Sequence, residues 1–130
     1  MNEDEMMDLI ARFRKAFRAA DREGFMACVT EDFEWHQHFA VEPQDLPGGR
    51  VIVGVDGMVA EIEWRQANWT NTSVTGLVER RAGDVILQTF TTKGTDENGK
   101  DFHYNVVDLY PVREGRIFKK DTYWKQQKSD

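Results

Sequence analysis

The chain has 130 residues, 40% apolar, 12% aromatic and 31% charged, with a formal net charge of -6. That is enough to bury one core but too little for two ordinary domains, so one domain over residues 1–130 is expected, with the composition of a folded globular protein. The acidic balance argues against a nucleic-acid partner, whose phosphates are bound by clustered Lys and Arg, and the single cysteine excludes an internal disulfide or a zinc site built from several thiolates.

The first expected element is an amphipathic helix over residues 4–20, where Met6, Leu9, Ile10, Phe13, Phe17 and Ala20 recur every three or four positions. Asp21-Arg22-Glu23-Gly24 breaks it. Phe25, Cys28 and Val29 then continue the apolar pattern in a short second helix ending near Thr30, a setting that makes Cys28 a buried small side chain rather than a nucleophile. Over residues 32–38, Phe33, Trp35 and Gln37 alternate with Glu34, His36 and His38, the signature of a strand.

Two prolines and two glycines make residues 42–49 a loop, expected at the mouth of a pocket. The pair Gly48-Gly49 lacks the lysine and Ser/Thr of a phosphate loop. Asp56 is the expected N-cap of a third helix that buries Met58, Val59, Ile62, Trp64 and Ala67 and fades by Asn68. Asn68-Trp69-Thr70 and Asn71-Thr72-Ser73 match the glycosylation pattern, but the acidic N-terminus lacks the basic region of a secretory leader and no apolar run is long enough to span a membrane, so a cytoplasmic protein is expected.

Three or four strands follow, divided by turn signals at residues 81–84, 96–99 and 113–115. The runs 85–92, 102–112 and 116–124 are rich in β-branched and aromatic residues, and residues 125–130 are expected to fray. Period-two geometry puts Phe102, Tyr104, Val106, Asp108 and Tyr110 on one face of their strand, and His103, Asn105, Val107 and Leu109 on the other. A lone carboxylate among aromatic rings needs a raised pKa, a cation or hydrogen-bond donors. Lys120, which shares a face with Thr122 and Trp124, is the candidate partner, either in chemistry or in a purely structural salt bridge.

His36 and His38 share a strand face, as paired metal ligands can, but the remaining histidine, His103, supplies no third ligand at a recognised spacing, so no metal site is expected. A strand distortion after Gln37 would turn His38 inward and make it the best available general base. Gln37 reads as a pocket-lining hydrogen-bonder. Trp35, Tyr104, Tyr110 and Trp124 read either as rings enclosing a flat ligand or as core.

Asn105-Val106-Val107-Asp108, followed by Gly115-Arg116-Ile117 and Tyr123-Trp124, resembles the closing hairpin of the ketosteroid isomerases. Ala11-Arg12-Phe13 and Glu31-Asp32-Phe33-Glu34-Trp35 resemble the first helix and strand of SnoaL-like proteins. The resemblance implies an α+β, cystatin-like cone: three helices from the N-terminal half packed on one curved, mostly antiparallel sheet that encloses a pocket. It places Asp108 where the steroid isomerases hold a protonated aspartic acid that donates to a developing oxyanion, and Trp124 on an aromatic wall of the pocket. Phe13 or Phe17 stands where their helix-borne tyrosine would be, and Gln37 stands near the position of their catalytic aspartate.

The fold carries isomerases, dehydratases, epoxide hydrolases, polyketide cyclases and noncatalytic adaptors. The expected function is proton transfer, or addition or elimination of water, on a small hydrophobic molecule without a cofactor. Asp108, Lys120 and His38 are the catalytic candidates, and Trp35, Gln37, Phe13, Phe17, Tyr104, Val106 and Trp124 the substrate-binding ones. The alternative is a noncatalytic ligand-binding or dimerisation domain. The outer sheet face, which carries Val107 and Leu109, is expected to join a homodimer.

Overall fold

The structure, a computed structural model, describes residues 1–39 and 49–127. Helix α1 (Glu3–Ala19) opens with a capping box, in which the Asn2 side chain accepts from the Glu5 amide at 2.8 Å and the Glu5 carboxylate accepts from the Asn2 amide at 2.9 Å. It buries Met6, Leu9, Ile10, Phe13 and Ala16 and stops at Ala20, which takes the left-handed conformation. Helix α2 (Arg22–Met26) is shorter than its apolar pattern suggests, because Val29 and Thr30 already belong to strand β1 (Val29–Phe39). The last strand, β6 (Arg116–Gln126), captures that backbone: the Ile117 amide donates to the Cys28 carbonyl at 2.9 Å, and the Arg116 guanidinium donates to the carbonyls of Met26 and Val29.

Between these lie β2 (Arg50–Val53), α3 (Gly54–Asn68), β3 (Thr70–Ala82), β4 (Val85–Thr95) and β5 (Asp101–Arg113). The short strand β2, absent from the sequence reading, lies antiparallel to β1. Val53, not Asp56, is the N-cap of α3. Asp56 sits in the first turn, where a carboxylate suits the helix's positive end, and pairs with Arg22 at 2.6 Å. Trp64 and Ala67 are exposed, contrary to expectation, because the inward stripe runs through Met58, Ile62 and Arg65 and positions 64 and 67 point away from it.

The six strands form one sheet in the order β2-β1-β6-β5-β4-β3, antiparallel except for the parallel β1/β6 pair. Register shifts in β1/β6, β3/β4 and β5/β6 bend it. The core beneath the helices is aromatic, with Phe13 5.2 Å from both Phe25 and Tyr110, centroid to centroid. Cys28 is buried there, and burial raises its thiol pKa, which suits an inert role. Residues 125–127 are ordered rather than frayed: β6 runs to Gln126, and the Gln127 amide donates to the His103 carbonyl. Residues 128–130, and all of the expected mouth loop except Gly49, lie outside the described residues. Among the described residues no helix is long and apolar enough to cross a membrane.

Candidate functional site

Strand alternation carries Gln88, Asp108, Tyr110, Lys120 and Thr122 to the concave face of the sheet, and α1 and α3 close over them. The result is a cavity of about 710 Å³, within the usual size of a small-molecule site. Its apolar wall includes Phe13, Phe17, Trp35, Ile62, Phe90 and Trp124, and its mouth opens between α1 and β3 beside Arg14, Arg18, Val74 and Leu77.

The polar floor is a connected chain. Asp108, 0% exposed, accepts from Lys120 Nζ at 2.9 Å and from the Thr122 hydroxyl. Thr122 in turn accepts from Trp35 Nε1 at 2.9 Å. Lys120 also donates to the Tyr110 hydroxyl at 2.7 Å, and Tyr110 donates to Gln88 Oε1 at 3.0 Å. The Gln88 amide donates to Glu79 at 2.8 Å, and Glu79 is held from the other side by two bonds from Arg14, at 2.9 and 3.1 Å. The Asp108 carboxylate thus has both a cation and donors. Phe17, Trp35 and Tyr110 place their rings 5.0 to 5.3 Å from the Lys120 ammonium.

Burial lowers the Lys120 pKa against the opposing pull of Asp108, and burial, followed by the Asp108 charge, pushes the Tyr110 phenol well above its ordinary value. Because the folded state keeps Tyr110 protonated, its contribution to stability is complete below about pH 10, the ordinary tyrosine value, and is lost as pH rises beyond it. Tyr110→Phe should therefore flatten the alkaline fall in stability by about 1.4 kcal/mol in total across the two pH units centred on that value. Denaturant unfolding of both proteins between about pH 9 and 11 measures the difference, and parallel slopes would show that Tyr110 ionises freely.

Six of the sequence candidates line the cavity: Asp108, Lys120, Trp35, Phe13, Phe17 and Trp124. Tyr104 and Val106 do not. They form a second cluster with Phe102, flanked by Trp69, Phe90 and Trp124, in which Tyr104 stacks on Trp124 at 4.6 Å. His38 stays outside, since β1 pairs without interruption from Glu34 to Phe39 and no distortion turns it. Its Nε2 lies 2.8 Å from Asp121, and its ring stacks on Tyr123 at 4.3 Å. His36 is also on that outer side, bonded to Glu34, and among the described residues no cluster of side chains suits a metal ion.

Gln37 is 1% exposed, points inward beside Trp35 and stops short of the cavity, and neither its amide nitrogen nor its oxygen has a partner among the described residues. A buried amide left unpaired costs about 1–3 kcal/mol. Gln37→Leu, similar in volume and apolar, should therefore raise the thermal midpoint, and a fall on a calorimetric scan would mean that the amide is paired after all.

Three polar members of the site went unrecognised in the sequence. Gln88 lies on the inward face of β4, between Ile86 and Phe90, directly across from Asp108 in register. Glu79 reaches the same floor from β3. Arg65 was legible by spacing, three positions after Ile62 on the buried stripe of α3. Its guanidinium lies 4.8 to 5.1 Å from the rings of Trp35, Trp69 and Trp124, paired at 2.8 Å with Glu61 one turn earlier, and desolvation lowers its pKa.

The sequence pattern of the SnoaL-like domain matches residues 10–120. Among solved structures, an NTF2-like protein of Burkholderia xenovorans superposes with a TM-score of 0.76 at 18% identity, covering 96% of this chain and 92% of the other. A putative polyketide cyclase from a Silicibacter species gives 0.71 at 21% identity, covering 96% and 92%. A putative SnoaL-like polyketide cyclase from a Jannaschia species gives 0.72 at 14% identity, covering 94% and 86%. No curated protein sequence matches the chain.

Proposed function

The chain belongs to the SnoaL-like domain family, and on that premise we propose that its cavity binds a small, largely apolar organic molecule and moves a proton on it. The reaction would be an isomerisation, a cyclisation, an elimination of water or an epoxide hydrolysis, without a cofactor. The observation that carries this reading is the Asp108–Lys120 pair at the cavity floor, joined to Tyr110 and Thr122. With donors converging on Asp108, its oxygens are engaged as acceptors, so the acid's role falls to Lys120. The lowered pKa of Lys120 eases proton release to an enolate oxygen or departing hydroxyl, Asp108 and the Tyr110 hydroxyl orient the ammonium, and the neutral amine left behind regains its proton from the substrate carbon that loses one or from water.

Incubation in deuterated buffer with a panel of enones, epoxides and polyketide fragments, read by mass spectrometry, tests this. Label uptake or conversion that disappears in Lys120→Met is the expected result. The second reading, a noncatalytic ligand-binding domain, draws on the near-complete closure of the floor, where Asp108, Tyr110 and Thr122 are almost inaccessible. Binding without conversion across the panel would favour it.

The outer sheet face supports a homodimer. His38, Tyr123, Val107, Thr89 and Val78 stand side by side across five strands, with Tyr123, Val107 and Val78 exposed. Light scattering should give twice the chain mass, and Val107→Glu should halve it. A wild-type monomer would remove the claim. A lone buried thiol also suits a reducing compartment, consistent with a cytoplasmic protein.

A further inference from the structure

The charges that line the cavity are lopsided. Arg14, Arg18, Arg65 and Lys120 face it, against the single carboxylate of Asp108, although the chain as a whole carries a net charge of -6. Three of these cations are matched: Arg14 by Glu79, Arg65 by Glu61 and Lys120 by Asp108. Arg18 is not, and its guanidinium makes no ion pair among the described residues. It stands at the mouth in the last turn of α1, one turn beyond Arg14, where the Gln66 amide of α3 donates to its main-chain carbonyl at 3.4 Å. Across the mouth, Val74 and Leu77 of β3 are 58% and 41% exposed, leaving apolar surface that a bound molecule would cover.

From this arrangement we infer that the ligand is an organic carboxylate: an apolar, flat body among the aromatic rings and against Val74 and Leu77, with one carboxylate at the mouth on Arg18. The inference rests on the reading of the cavity as a small-molecule site and adds the ligand's charge and orientation. A planar guanidinium takes a carboxylate through two parallel hydrogen bonds. A single unmatched cation, with Asp108 and Glu79 nearby, suits a monoanion and opposes a dianion such as a phosphate monoester. Low-dielectric walls strengthen the attraction and draw the anion inward. The group to be protonated then lies at the inner end, toward Lys120, with the carboxylate left outside as a handle.

Calorimetric titration of the full chain with naphthoate, naphthamide and a naphthylmethyl trimethylammonium salt tests the charge with the ring system held constant. Naphthoate should bind about 10-fold tighter than the amide at low salt, the scale of one charge-assisted pair, and the advantage should shrink at high salt. Arg18→Gln, at an exposed position that the fold does not need, should bring the acid down to the affinity of the amide. Equal affinity of acid and amide, tighter binding of the ammonium salt, or a preference that survives Arg18→Gln would each overturn the inference while leaving the small-molecule site standing. Failure of all three compounds to bind would overturn both.

Discussion

Asp108→Ala is expected to destabilise the fold by about 3–5 kcal/mol, the cost of leaving a buried charge without its partner. Lys120 is 5% exposed and ringed by Phe17, Trp35 and Tyr110, so its ammonium cannot turn to water without displacing core. The Thr122 hydroxyl loses its acceptor in the same step. Joining Asp108→Leu to Lys120→Met removes both charges and fills the space with apolar atoms, and should recover most of the loss, since a buried ion pair is commonly worth little against a well-packed apolar replacement. Urea unfolding of the two single variants and the pair closes the cycle. An Asp108 variant that loses less than about 1 kcal/mol would show that Lys120 sheds its proton easily, and the picture of a charged pair would fall with it.

Turnover supplies the second large effect. Once a substrate is found, Asp108→Asn should lower kcat by about 10²-fold or more with KM little changed, because the amide keeps the shape of the carboxylate while losing the charge that orients the Lys120 ammonium. Lys120→Arg makes a sharper comparison. It keeps a positive charge near Asp108 but cannot exchange protons near neutral pH, and should lose activity on the same scale. If Lys120 served only as a fixed electrostatic anchor, Arg would restore most of the rate. Wild-type turnover in Asp108→Asn would leave this carboxylate a structural tie.

Much of the site was readable because local periodicity acts residue by residue. The alternation of β5 put Asp108 inward, and that of β6 put Lys120, Thr122 and Trp124 on the facing side. The 3.6-residue stripe of α1 likewise brought Phe13 and Phe17 over them. What periodicity cannot give is how far along a strand the pocket extends or which strand lies next to which. Tyr104 shares the inward face with Asp108 but stands four residues away, roughly 13 Å along an extended chain, and so falls in a separate aromatic cluster. Gln37 was read as lining the pocket and does face inward with Trp35, but it stands two residues further along β1, and of the two only Trp35 reaches the cavity. Gln88 and Glu79 joined the floor only through the register of β3, β4 and β5, which no single strand encodes. Strand β3 escaped a clear reading because it is an edge strand, exposed along most of its length, and lacks the apolar alternation that marks half-buried strands.

The strand order has a consequence for how the protein comes into being. β6 is sixth in sequence but third in the sheet, the seam between the β1–β2 pair and the β3–β4–β5 meander. A ribosome making this chain from its first residue delivers both flanks before the seam, and the parallel join of β1 to β6 closes a loop of more than 80 residues, the kind of distant pairing that slows folding. Until then β1 has only β2 beside it and β5 only β4, each offering an open edge to other chains. Lys120, Thr122 and Trp124 all arrive on β6, so the strand that completes the sheet also completes the cavity floor. Premature termination before β6 would yield an aggregation-prone fragment with an incomplete cavity floor, rather than a slightly weakened form of the same fold.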